Sequence, residues 1–155
     1  MAQRLEALGD LPPGVRVTET GIAGVGLVQD LMDGYDALVI VDAVSRGGEP
    51  GTLYLLEPGV PDIRAWTDEE RRVFLADLHQ VEPSRALGLA AALGVLPPTV
   101  RILGCEPAEY DEAEIGLTPA VERAADLAVE RVRLLIEELR GPTPMPVGAT
   151  VQGDQ

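Results

Sequence analysis

The chain has 155 residues, a length that suits one domain with a real hydrophobic core. It carries 26 acidic and 12 basic residues, and its formal net charge of −14 argues against binding to nucleic acids or to anionic membranes. The single cysteine cannot form an internal disulfide, and we find neither an apolar signal segment nor an apolar run long enough to cross a bilayer. The sequence therefore predicts a cytoplasmic protein, which we expect to be a monomer.

The first half of the chain alternates short helical and extended patterns. Residues 5–8 are typical of the end of a short helix that Gly9 terminates. The alternating stretch VRVTET, residues 15–20, predicts a strand, and the glycine-rich residues 21–26 predict a turn into a short helix. ALVIVDA, residues 37–43, is a continuous apolar run that ends near an aspartate, as is typical of a central parallel strand buried on both faces.

The second half continues the alternation of strands and helices. Its predicted elements are a strand at 52–58, a helix from the capping box at Thr67 to residue 75 or 78, a helix from Pro83 to Gly94, a strand at 99–107 and a helix from Thr118 to Gly141. The short connection before 52–58 favours antiparallel pairing or an edge position. Together the elements predict an α/β sandwich with a mostly parallel sheet over residues 1–141, followed by a disordered tail at 142–155.

Two polar residues are the strongest candidates for chemistry. Asp42 lies near the end of a predicted strand, where sites of open α/β sheets gather, although a turn aspartate that caps loop amides is the simpler interpretation. His79 is the only histidine and lies just ahead of a helix start, where the helix dipole favours the neutral, metal-binding imidazole. A surface histidine with a satisfied hydrogen bond explains it equally well. One histidine with carboxylates suits nickel, zinc or iron.

The sequence names no catalytic nucleophile. Cys105 lies inside a predicted strand, where a free cysteine usually packs as a small hydrophobic residue. Neither Ser45 nor Ser84 lies in a nucleophile-elbow pattern. The glycines at 21–26 do not have the G-x-G-x-x-G spacing, so dinucleotide binding is only weakly indicated.

Five short motifs in sequence order resemble those of nickel–iron hydrogenase maturation proteases. They are VIVDA, GGEPGT, LHQ, GCEP and GLTPAVERA, and their order and spacing fit the family from about residue 2 to residue 140. The resemblance implies a three-layer α/β/α, flavodoxin-like fold. It also implies an endopeptidase that removes the C-terminal extension of the hydrogenase large-subunit precursor after nickel has been inserted.

The resemblance also assigns roles to individual residues. Asp42 and His79 match an acidic residue and a histidine that contact the metal in the family. Glu19, Gly21 and Gly24 lie in TETGIAG, which corresponds to the glycine-rich stretch after the second strand of the family, and we expect them to contact the substrate. The nickel would be recognised on the substrate, so no permanent cofactor is expected. The attacking group would be water.

One departure from the family pattern concerns the N-terminus. Family members begin with a strand and a G-N-x-L-x-x-D-D/E-G-x-G turn that supplies a first acidic ligand, and neither has a counterpart before residues 2–8. We therefore expect an N-terminally truncated form of the fold, whose true start lies upstream of Met1. Two alternatives stay open: a catalytically impaired homologue that only binds the large subunit, and a flavodoxin-like domain that binds a small ligand.

Overall fold

A computed structural model describes residues 1–20, 24–76, 83–108 and 116–141 of the chain. The predicted disordered tail at 142–155 lies outside the described residues. Within them, the helices are α1 (Ala2–Leu8), α2 (Gly24–Leu31), α3 (Asp68–Ala76), α4 (Pro83–Leu93) and α5 (Pro119–Arg140), with a 3-10 turn at Ile63–Ala65. The strands are β1 (Ala37–Ala43), β2 (Leu53–Leu56) and β3 (Thr99–Cys105).

The helix ends follow from local chemistry that the sequence predicts. Gly9 ends α1 in the left-handed conformation, with φ of 64°. The Thr67 hydroxyl accepts a hydrogen bond from the Glu70 backbone N–H at 3.3 Å, and the Glu70 carboxylate accepts one from the Thr67 N–H at 2.7 Å, which completes the predicted capping box of α3. At α5, the Thr118 hydroxyl accepts from the Val121 N–H at 3.5 Å.

The described sheet has three strands in the order β1-β3-β2. β1 and β3 are parallel, in a register that runs from Ala37 opposite Thr99 to Ala43 opposite Cys105. β2 is antiparallel to β3, with Leu53 opposite Cys105. The antiparallel edge strand expected at 52–58 is thus confirmed, and the sheet is mixed.

Apolar clusters on the two faces of the sheet give the molecule three layers. The first cluster joins α1, β3 and α5 through buried Leu5, Leu103, Ala128 and Val132. The second joins α2 and α4 through buried Val28, Leu31, Ala86 and Ala90. β1 serves both, because Val39 and Val41 pack against the first cluster and Leu38 packs against the second, as side chains alternate along a strand. The predicted α/β fold class is confirmed.

The longest described helix, α5, covers one face of the sheet. Its buried residues Ala124, Ala128, Val132 and Leu135 recur at helical spacing, and Leu127 and Leu134 are exposed. Within the described ranges, none of the helices combines the length and apolar character needed to span a membrane.

Two strand predictions need correction. Residues 15–20 belong to no strand, and β1, expected to be central, is an edge strand of the described sheet, with β3 in the centre. The edge of β1 that faces away from β3 borders a cavity of about 1090 Å³, which residues 15–20 also line. Alternating side chains suit these residues to a strand, but a strand also requires a hydrogen-bonded neighbour, and no described residue supplies one.

Candidate functional site

Asp42 lies near the carboxyl end of β1, opposite Gly104 of β3. Its side chain is exposed, and Oδ1 accepts a hydrogen bond of 2.8 Å from the backbone N–H of the next residue, Ala43. This contact matches the simpler interpretation of a turn aspartate. The carboxylate nevertheless faces solvent at the edge of the sheet where α/β proteins place their sites.

The chain after Asp42 turns immediately across the end of β3. The Val44 N–H donates to the Cys105 carbonyl at 2.9 Å, and the Val44 side chain packs over Gly104. A Cβ atom at position 104 would lie 2.7 Å from Val44 Cγ2, so only glycine permits this crossing. We call residues 44–51, which connect this crossing to β2, the Glu106 loop.

Glu106 follows the last residue of β3 and is the hydrogen-bonding centre of this loop. Its side chain is buried and accepts hydrogen bonds from the Ser45 hydroxyl at 3.2 Å, the Arg46 N–H at 2.9 Å, the Gly47 N–H at 3.3 Å and the Tyr54 hydroxyl at 2.8 Å. These donors, led by the Arg46 backbone N–H, stabilise the carboxylate and lower the pKa of Glu106 to about 2. The residue is therefore an anion at neutral pH.

The main chain of Glu106 holds the far end of the same loop. Its carbonyl accepts from the Gly51 N–H at 2.9 Å, and its N–H donates to the Thr52 carbonyl at 2.8 Å. The hydrogen bond from the Tyr54 hydroxyl to Glu106 also raises the pKa of that tyrosine, which stays neutral. The loop that follows Asp42 is thus fixed at its start, middle and end.

The described candidates from the sequence share one cavity. Glu19, Gly24 and Asp42 all line the space of about 1090 Å³ beside β1, together with apolar side chains of β1 and α5. Glu19 is exposed there. Gly24 has a packing role as well, because a Cβ atom at this position would lie 3.0 Å from Ala86 Cβ where α2 meets α4.

The other two candidates, Gly21 and His79, lie outside the described residues. The pairing of Asp42 with His79 therefore stays a prediction. Pro83, the first residue of α4 and four positions after His79 in the sequence, lines the same cavity as Asp42. Among the described residues, no group of three or more His, Cys, Asp or Glu side chains is arranged to hold a metal ion.

Cys105 has the environment of a packed thiol. It is half-buried at the end of β3, and burial raises the pKa of its thiol. A raised pKa leaves little thiolate at neutral pH, so this cysteine is poorly suited to nucleophilic attack.

Glu106 is absent from the candidates that the sequence predicts. Residues 99–105 form a strand parallel to β1, so the rule that singles out Asp42 also applies to the acidic residue that follows β3. The burial of this carboxylate cannot be read from the sequence, because its donors lie more than 50 positions away in the chain, in the Glu106 loop and in β2.

Comparisons with known proteins agree on one family. A family model described as hydrogenase maturation protease matches residues 1–134. The hydrogenase expression/formation protein HupD of Rhodobacter capsulatus is 29% identical over 153 residues, which cover 98% of this chain and 68% of that protein. The hydrogenase 2 maturation protease of Escherichia coli K12 is 32% identical over 142 residues, which cover 89% of this chain and 79% of that protein.

Solved structures give the same result. The hydrogenase maturating endopeptidase HybD from E. coli superposes with a TM-score of 0.64 at 30% identity, covering 88% of this chain and 81% of that one. The hydrogenase 2 maturation peptidase of a Thaumarchaeota archaeon gives a TM-score of 0.55 at 28% identity, covering 86% and 85% of the two chains.

Proposed function

This chain belongs to the hydrogenase maturation protease family, and from that premise we propose that it removes the C-terminal extension of a hydrogenase large-subunit precursor. The observation that carries the proposal is the match of the family model to residues 1–134, which include β1 with Asp42, the Glu106 loop and Glu106 itself. Relatives and structural neighbours with similar sequences are endopeptidases.

In this proposal, nickel belongs to the substrate and signals that the precursor is ready for cleavage. Asp42 and His79 contact that nickel, since a carboxylate and an imidazole are both suitable ligands for it. Two observations support the placement: Asp42 is exposed near the carboxyl end of β1, and Pro83, shortly after His79 in sequence, lines the cavity that Asp42 also lines. The enzyme itself needs no permanent cofactor.

The proposed chemistry is hydrolysis. Water adds to the carbonyl carbon of the scissile peptide bond, the C–N bond breaks, and the amine of the released extension takes up a proton. The raised pKa of the Cys105 thiol supports water rather than this cysteine as the attacking group. We assign Glu19, Gly21 and Gly24 to contacts with the peptide, a role supported by the position of Glu19 and Gly24 at the cavity beside Asp42.

The direct test incubates the purified chain with nickel-loaded precursor and, in parallel, with nickel-free precursor. Mass spectrometry should show the loss of the C-terminal extension from the nickel-loaded protein alone. Cleavage of both forms would contradict the role of nickel. An unchanged mass together with a stable complex would instead support a homologue that only binds the large subunit. The cytoplasmic location and the monomeric state stay predictions.

A further inference from the structure

One buried carboxylate, that of Glu106, bonds to the backbone of Arg46 and to the hydroxyl of the aromatic ring near its guanidinium. Its backbone N–H donates to both oxygens of Glu106, at 3.2 and 2.9 Å. Its guanidinium carbon lies 5.9 Å from the centroid of the Tyr54 ring, and the hydroxyl of that ring donates to Glu106 at 2.8 Å. Glu106 therefore fixes the main chain of Arg46 and also the aromatic surface under its side chain.

The charge of Arg46 is not neutralised by any described carboxylate. Arg4, Arg16, Arg101 and Arg133 each form an ion pair with an acidic side chain. Within the part of the chain that the structure describes, the Arg46 guanidinium has neither an ion pair nor a hydrogen bond, although the protein carries a net charge of −14. The residue is exposed and lies only four positions after Asp42. An exposed cation with no ion pair among the described residues thus follows Asp42 closely in the chain.

We propose that Arg46 binds a carboxylate of the large-subunit precursor near its cleavage site, and that Glu106 and Tyr54 are positioning residues for this guanidinium. The proposal rests on the processing function proposed above. A guanidinium presents parallel N–H donors that match the two oxygens of a carboxylate, and its contact with the Tyr54 ring leaves these donors free to bind. An acidic protein otherwise repels an acidic peptide, so a local cation is needed where such a peptide docks.

The first test measures steady-state processing of nickel-loaded precursor by Arg46→Gln. Loss of a hydrogen-bonded charge pair should raise KM roughly 10- to 100-fold and leave kcat almost unchanged, because the contact is present in both the bound substrate and the transition state. Arg46→Lys should recover only part of the affinity, since it keeps the charge without the planar donors. A wild-type KM in Arg46→Gln would overturn the proposal and leave the processing function intact.

Arg131→Gln is the matched control. It removes the same charge from a half-buried position on α5, where Arg131 is ion-paired with Glu138. This position lies roughly 16 Å along the helix from Ala120, which contacts the Glu106 loop at Gly51. Its KM should equal that of the wild type. An equal rise of KM in both variants would show a general effect of net charge and would overturn the specific role of Arg46.

Tyr54→Phe tests the positioning roles, because it removes the hydroxyl that donates to Glu106 and keeps the ring. In the wild-type background, the substitution should raise KM by a few fold. In the Arg46→Gln background it should leave KM unchanged, because a residue that acts through Arg46 has no effect once Arg46 is replaced, and a double-mutant cycle detects this dependence. A purely structural role would reduce activity equally in both backgrounds, and that result would overturn the positioning of Arg46 by Tyr54.

To identify the precursor carboxylate that Arg46 binds, the acidic side chains that flank the cleavage site are changed to amides. These changes should raise the KM of the wild type and should have no further effect in Arg46→Gln; full additivity would overturn the assignment.

If the wild type binds the precursor without cleaving it, the affinity for the precursor is measured in place of KM. A tenfold weaker complex with Arg46→Gln would then support the inference, and equal affinities would overturn it. Absence of both cleavage and binding in the wild type would overturn both proposals.

Discussion

At the scale of single residues, Glu106 shows how neutral hydrogen-bond donors keep a buried carboxylate ionised. Its donors among the described residues are neutral, and they include the Ser45 and Tyr54 hydroxyls and the backbone N–H groups of Arg46 and Gly47. Replacement by glutamine would place an amide N–H₂ against backbone N–H groups, so the loop would lose more than one hydrogen bond. The ionised state of Glu106 is therefore part of the folded structure of the loop.

The pH dependence of stability follows from the low pKa of Glu106. The pKa is about 2 in the folded protein and about 4.3 in an unfolded chain, so the unfolded state binds more protons between these values. The stabilisation is complete above about pH 4.5 and is lost as the pH falls toward about 2. The midpoint of urea unfolding should fall more steeply between pH 6 and pH 3 in the wild type than in Glu106→Gln. Parallel curves, or an NMR titration of the Glu106 carboxyl carbon with a midpoint above 4, would contradict this.

Asp42 should be required for processing but not for folding. Its side chain is exposed, and its one hydrogen bond among the described residues is to the next residue in the chain, so Asp42→Ala should change the free energy of unfolding by less than about 0.5 kcal/mol. Processing of nickel-loaded precursor should be abolished, and His79→Ala should have the same effect. Glu130→Ala is the control, because Glu130 is exposed on α5 and lies outside the lining of the cavity that Asp42 borders. Full processing by Asp42→Ala would remove this residue from the site.

The sequence singles out Asp42 as a candidate residue, but it does not single out Glu106. An apolar run that ends near an aspartate is a local pattern, and the rule for strand ends applies to it directly. The importance of Glu106 depends on Val44 crossing over Gly104, which brings the donors of a distant loop to the end of β3. A contact of this kind arises only in the folded chain.

At the scale of secondary structure, helices were easier to predict than strand positions. The ends of α3, α4 and α5 follow from short-range signals, such as the hydroxyls at Thr67 and Thr118. Residues 15–20 have the alternation of a strand but no described neighbour, and β1 has the two-sided apolar character of a central strand but lies at an edge. The pattern of side chains along a strand indicates which of its faces are buried. The position of the strand in the sheet depends instead on the strands beside it.

The edge position of β1 has a measurable signature. In a parallel pair, alternate residues of one strand bond to the same neighbour, so about half of the β1 amides should lack a ladder partner. Hydrogen exchange measured by NMR should therefore show alternating protection along Ala37–Ala43 and continuous protection over residues 102–105 of β3, which pair with β1 on one side and β2 on the other. Uniform protection along β1 would show that another strand, from this chain or from a second copy, covers its free edge.

At the scale of the whole molecule, the excess of acidic residues should make stability depend on salt. The net charge of −14 produces self-repulsion that favours expansion. Raising the ionic strength from about 0.01 to about 0.15 M shortens the Debye length from about 30 to about 8 Å and screens this repulsion. The urea midpoint should rise, and NaCl and KCl should act equally. A lower midpoint in salt would mean that exposed ion pairs, such as those of Arg4 and Arg16, outweigh the repulsion.

The overall architecture was predictable because it rests on the order of motifs along the chain. Strands alternating with helices specify layers, and the series from VIVDA to GLTPAVERA matches one family throughout. The cavity beside β1 was not predictable in this way. It depends on how far α1, α2 and α5 lie from the edge of the sheet, and no short stretch of sequence determines these distances.

The anchoring of the Glu106 loop affects the energetics of client binding. Because its start, middle and end are already bonded in the free protein, the loop has little conformational entropy left to lose when a precursor docks. Ordering eight mobile residues at that moment would cost on the order of 10 kcal/mol. A docking surface that avoids this penalty leaves more of the contact energy for aligning the scissile bond with the attacking water.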